Sequence, residues 1–198
     1  PDDTSCKAII ENIRNAKKNK DTVGGLCETH VFGCPPGLGS CTSWQEKLDS
    51  KLAGAVMGIQ AFKAVEIGLG STCGKLQGSE VHDPIIFDKE KRDSCHFGFT
   101  RSTNHAGGIE GGMSNGMPIV VRGTMKPIAT LLQGMDSVDL QTGKSSRSDY
   151  ERSDVCALPA ASVVMENAIG FEIAAVFLTS FGGATMEMVR ASHDAFAN

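Results

Sequence analysis

What this chain lacks removes several classes at once. Basic residues are outnumbered, 19 Lys and Arg against 23 Asp and Glu, and the net charge of −4 argues against a general nucleic-acid binder. No apolar run stands out as membrane-spanning, and 40% hydrophobic with 21% charged residues is the balance of a soluble globular chain, so no membrane partner is expected. The seven cysteines, at 6, 27, 34, 41, 73, 95 and 156, include no Cys-x-x-Cys pair and follow no secretory signal. Reduced thiols in a cytoplasmic protein are the default reading. Cys27, Cys34 and Cys41 are evenly spaced around His30, but tetrahedral metal sites show tight ligand pairs, so small partly buried hydrophobes are the better reading and no metal is assigned. An initiating Met is also missing: the chain begins at Pro1, directly before a helix, which hints at an excised or partial product.

What is abundant is glycine, and it is concentrated. Arg101 to Pro127 carries glycines at 107, 108, 111, 112, 116 and 123. Such positions tolerate positive φ and leave backbone N–H groups bare, so a ligand can approach the main chain. The stretch fits neither the Gly-x-Gly-x-x-Gly spacing nor a phosphate loop ending in Gly-Lys-Ser/Thr, which disfavours the common nucleotide folds. Arg101, Arg122, Lys126, Arg147 and Arg152 fall in or near it, and a small anionic ligand suits that local charge better than a polymer.

The pattern of elements is α+β, within the size of one domain. Asp2 or Asp3 caps a helix with Ala8, Ile9, Ile13 and Ala16 on one face and Lys17, Lys18 and Lys20 at its end. Thr22 to Phe32 is a strand closed by Pro35-Pro36-Gly37. Ser43 is expected to cap a second helix bearing Trp44, Leu48, Leu52 and Val56 at helical spacing. Phe62 to Ile67 and Ile119 to Val121 are strands, and residues 71 to 94 are a polar stretch whose charge run, Asp88 to Asp93, tips an exposed loop. Ser137 to Leu140 and Lys144 to Tyr150 flank a hairpin turn. Ala160 to Phe181 is apolar nearly all round and is expected to be a helix buried on both sides, with a short helix from Thr185 to Phe196 after it.

Two constellations can carry chemistry. Lys126-Pro127-Ile128-Ala129-Thr130 sets a cation and a hydroxyl at a strand exit, suited to phosphate or an electron-rich ring; a strand end with a solvated lysine is the plain alternative. Arg152-Ser153-Asp154 places a bidentate-capable cation and a carboxylate on one face of an extended segment, where a weak surface ion pair is the plain alternative. Three further candidates are weaker. His105 lies in the glycine loop and His82 beside acids that would raise its pKa, while Glu166, in an apolar helix, would need a buried donor.

Read in order, Thr103-Asn104-His105-Ala106-Gly107-Gly108-Ile109-Glu110-Gly111-Gly112-Met113-Ser114-Asn115-Gly116, then Lys126 to Thr130, then Arg152-Ser153-Asp154-Val155-Cys156, with Glu166 downstream, closely resemble the chorismate synthase family. Asp21 to Gly25, Pro35 to Gly39, Lys63 to Gly68 and Gly78-Ser79-Glu80 resemble further blocks of it. The resemblance implies an α+β sandwich with helices between antiparallel β-sheets and a homotetramer in the complete protein. It implies the conversion of 5-enolpyruvylshikimate 3-phosphate to chorismate with reduced FMN, in the shikimate pathway. By the same resemblance, Gln60, Ala61, Gly111, Lys126, Pro127, Ile128, Ala129, Thr130 and Arg152 would contact the flavin, and Asp154 would assist proton removal. The family's Ser-His-Gly and Arg-Ser-Ser-Ala-Arg-Glu blocks do not occur in this sequence. Residues 1–198 are therefore expected to be the carboxy-terminal portion of a single domain, inactive alone, its amino-terminal half absent. The alternative is a non-catalytic glycine-loop module that binds an anionic ligand or serves as an assembly interface.

Overall fold

The computed structural model describes residues 2–94, 96–149, 151 and 153–197. In chain order they form α1 (Asp3–Lys18), β1 (Gly25–Val31), α2 (Leu48–Met57), β2 (Phe62–Ile67), a single turn α3 (Gly78–Val81), β3 (Ile85–Phe87) and β4 (Phe99–Arg101). There follow β5 (Ile109–Glu110), β6 (Met113–Ser114), β7 (Ile119–Met125), β8 (Asp136–Val138), β9 (Ser145–Arg147), α4 (Leu158–Phe181) and α5 (Met186–Ala197). The class is α+β, and the paired strands run antiparallel.

Strand β7 organises the molecule because its alternation suits a central position. Ile119, Val121 and Gly123 are buried on one face, while Val120, Arg122 and Thr124 turn to the other. It lies between β1 and β2, with Cys27 and Val65 opposite Gly123, and Glu28 and Glu66 opposite Arg122. The open face thus carries a charged row in which Arg122 donates to the Glu28 carboxylate and to Gly68 O at 2.7 Å. On the other face, α2 places Leu48, Leu52 and Val56 at i, i+4 and i+8, none of them exposed. Met165 and Ile169 of α4 are equally buried, and these two helices pack on each other and on the sheet. Gly123 lets them come close, since a Cβ there would collide with the Phe62 ring and lie 3.0 Å from Met165 Sδ. The core therefore sits between one sheet face and two helices.

Helix α1 starts as its sequence predicts, with the Asp2 carboxylate accepting from the Ser5 amide at 2.8 Å. The second helix does not. Ser43 and Trp44 lie outside α2, and Trp44 is 71% exposed. The Leu48 amide finds its acceptor in Gly112 O at 2.8 Å, so a distant backbone carbonyl meets the need that a Ser43 hydroxyl was expected to meet.

Helix α4 spans the predicted residues, but it is covered on one side only. Val163, Val164, Phe171 and Leu178 are each at least half exposed. Glu166 lies on the exposed side as well, not in a buried setting, and so needs no internal donor. By length and composition α4 is long and apolar enough to cross a membrane, which corrects the expectation that no such run exists; in this fold its Met165 and Ile169 side form part of the core. A further addition is β3, a strand within the polar stretch that pairs with β4, with the Asp88 to Asp93 charge run in the connection between them.

Candidate functional site

The glycine stretch becomes rigid through side chains that the sequence did not single out. Asp83, whose side chain is completely buried, accepts from Thr103 Oγ1 at 2.5 Å, the His105 amide at 2.8 Å and the Ala106 amide at 2.9 Å. Burial works to raise this carboxyl, but the Thr103 hydroxyl and the Ala106 and His105 amides outweigh it and hold it below the usual carboxylate range. Asn104 then bonds Gly108 N and Pro118 O. Gly111 and Gly112 both take positive φ, 61° and 86°, as the two-residue turn between β5 and β6 demands. A Cβ at Gly111 would meet nothing within 4 Å, so its backbone faces open space.

Ser114 fastens this hairpin to the Pro35 loop. Its buried hydroxyl donates to Pro35 O at 2.6 Å and accepts from Leu38 N at 2.9 Å. Ser114→Ala orphans both groups and is expected to cost about 2 kcal/mol in urea denaturation. A change below about 0.5 kcal/mol would show the site relaxing around the loss.

A second cluster forms at the opposite end of β7. Lys126 N donates to Ala61 O at 2.9 Å, and Ala61 holds a left-handed φ of 68° in the tight turn from α2 into β2. Thr22 Oγ1 donates to Ile128 O at 2.6 Å and Ser153 Oγ to Thr130 O at 2.8 Å. Val23 N donates to Val155 O at 2.9 Å. Gly24 permits this convergence: a Cβ there would collide with Met125 O and lie 2.9 Å from Pro127 N. The structure thus brings Ala61, the Lys126 to Thr130 segment and Ser153-Asp154 to one rim, with Gln60, Lys126, Pro127, Ala129 and Asp154 exposed along it.

The rim suits an anionic, hydrogen-bonding ligand. The amides of Ile128, Ala129 and Thr130 donate to no acceptor among the described residues. Of the cations in this half of the chain, Arg122 is held by Glu28, Arg101 by Glu110 and Arg147 by Asp136. Lys126 enters no ion pair among the described residues. Arg152 lies outside them. Gly111 is not on this rim: its hairpin docks at the start of α2, whereas Ala61 follows the helix's end, and a ten-residue helix is about 15 Å long. A ligand touching both must extend along α2.

The histidines behave differently from expectation. His105 keeps Nδ1 3.1 Å from Val81 O, so it is part of the loop's framework. His82 is exposed, while its neighbour Asp83 turns inward to the glycine loop. The Asp83 role was hidden because its partners begin twenty positions downstream; an acid directly before Pro84 was the available signal.

Comparison with known proteins agrees with this geometry. A family model described as chorismate synthase matches residues 1–178. A chorismate synthase of Bacillus pumilus is 51% identical over 181 residues, covering 91% of this chain and 45% of that protein. One of Geobacillus is 48% identical over 189 residues, covering 96% and 47%. A solved structure titled "Crystal Structure of Chorismate Synthase" superposes with a TM-score of 0.79 at 36% identity, covering 97% of this chain and 48% of that one. The chain spans about half the length of the curated relatives it matches. With the glycine hairpin, the Lys-Pro segment and the Ser-Asp rim matched within residues 1–178, the chain belongs to the chorismate synthase family.

Proposed function

We propose that this chain furnishes one wall of a chorismate synthase site, at which the complete protein converts 5-enolpyruvylshikimate 3-phosphate to chorismate by 1,4 anti elimination of phosphate. The observation that carries this reading is the convergence of Ala61, Lys126 to Thr130 and Ser153-Asp154 on one rim, in a member of that family. Reduced FMN, when bound, supplies transient electron density with no net redox change. The chain's own part is to hold and orient. Lys126 and the open amides of residues 128–130 bind an electron-rich edge, and Gln60, Ala61 and Pro127 line the same contact; the family resemblance assigns Arg152 to the flavin as well. Gly111 offers bare backbone to its far end. Asp154 assists removal of the substrate's ring proton, relaying it on a carboxylate oxygen. The complete protein works as a cytoplasmic homotetramer, without nucleic acid, membrane or metal.

Flavin titration tests the wall directly. Lys126→Ala is expected to weaken reduced FMN binding about tenfold, the equivalent of about 1.4 kcal/mol, because a charge-assisted contact is lost. An unchanged dissociation constant would remove the rim from the cofactor site.

A further inference from the structure

A groove of about 550 Å³ opens between the β3–β4 hairpin and the turn before β7, lined among others by Lys91, His96, Thr100, Arg101, Ser102 and Gly116. We propose that it binds a phosphate group. It lies at the start of β7, whereas the rim of Lys126 follows the strand's end, and the proposal stands apart from the flavin reading.

Arg101 carries the argument. Its side chain is only 11% exposed, yet of the five N–H groups a guanidinium offers, one makes a bond among the described residues, from Nη2 to Glu110 Oε2 at 2.7 Å. Nε is shut off from solvent without any acceptor among the described residues. Glu110 cannot serve Arg101 fully, because the same Oε2 also accepts from Asn115 Nδ2 at 2.8 Å. Glu110 balances the charge of Arg101 through one N–H, and the guanidinium keeps unused donors that a second acceptor would complete.

The surroundings supply the remainder of such a site. Lys91 and His96 add two nitrogen-bearing side chains, and no carboxylate lines the groove. Asp88, 3.5 Å from Lys91, and Glu110 are the acids beside it. Thr100 and Ser102 contribute hydroxyls, and the backbone turns at Gly33 and Gly116 with φ of 75° and 84°. A planar guanidinium, a flexible ammonium and two hydroxyls together form a donor set that a tetrahedral oxyanion takes.

The test is titration of the full chain with inorganic phosphate at constant ionic strength, following the Arg101 Nε–H resonance and calorimetric heat. Saturable binding is expected, with that resonance shifting. Arg101→Lys keeps the charge but loses the planar fork and should weaken binding about fivefold or more. Lys91→Ala, at an exposed position, should do the same, while Lys144→Ala, away from both sites, should leave phosphate affinity unchanged. FMN and riboflavin separate the two sources of such a group: displacement of phosphate by FMN alone assigns the groove to a phosphate monoester of the cofactor's kind, and displacement by neither assigns it to free phosphate. Absence of saturable binding, or affinity within twofold of wild type in both groove variants, overturns the proposal.

Discussion

Asp154→Asn is expected to slow turnover of the complete, family-length protein about a hundredfold while leaving its affinity for reduced FMN within about twofold, since positioned proton transfer contributes roughly 10²–10⁴ in rate. The expectation rests on how the carboxylate is mounted. On one side Ser153 is tied to Thr130 O at 2.8 Å, and on the other Val155 O holds Val23 N at 2.9 Å. Asp154 is thereby flanked by a side-chain tie to the Lys-Pro segment and a backbone tie to the residues leading into β1, while its own side chain is exposed and forms no ion pair among the described residues. A carboxylate mounted between two tied neighbours, in no ion pair among the described residues, is placed to take part in proton transfer. Asparagine preserves the shape and the neighbouring bonds but not the basicity, so the effect should fall on kcat. Turnover equal to the parent's would remove the proton-transfer role, and a matching loss of flavin affinity would recast Asp154 as a binding residue.

The same mounting explains why part of the site was legible in the sequence and part was not. β2 occupies Phe62–Ile67 as predicted, α1 is capped by Asp2, and the hairpin of β8 and β9 turns around the predicted glycine. Each is decided by neighbours within a few residues, through caps, alternation and turn chemistry. The failures share a non-local cause. Ser43 was a reasonable cap, but the first amide of α2 is satisfied by Gly112, far along the chain. β3 has little pattern of its own and exists because β4 pairs with it. For α4, an apolar run on all sides implied burial on all sides. The described residues supply one three-stranded sheet, α2 and, at its end, α5 against it, so Phe171 and Glu166 stay exposed. Site residues followed the same division. The Lys126 to Thr130 segment and Asp154 were visible as motifs, whereas the meeting with Ala61 depends on the pairing of β2 with β7, which the Lys126 N–Ala61 O bond extends.

Asp83→Ala is expected to cost about 3 kcal/mol or more. Three donors lose their acceptor at once, and two of them are the backbone amides of His105 and Ala106, which cannot turn away without unmaking the loop. Against a typical total of 5–15 kcal/mol this is a large fraction. Asp83→Asn should be little better, because the amide group puts a donor where one of the carboxylate oxygens accepts. Acid should act like the mutation. The folded-state pKa of Asp83 lies below its ordinary value, so its contribution is present in full above the unfolded value, about 3.9, and is lost as pH falls through the lower, folded one. Wild type should therefore lose stability below about pH 4 more steeply than Asp83→Ala does. Urea denaturation across pH 2 to 7 measures both, and amide exchange at His105 and Ala106 shows whether the loss begins in the loop. Parallel acid limbs for the two proteins would mean that Asp83 is not the group whose charge the glycine loop needs.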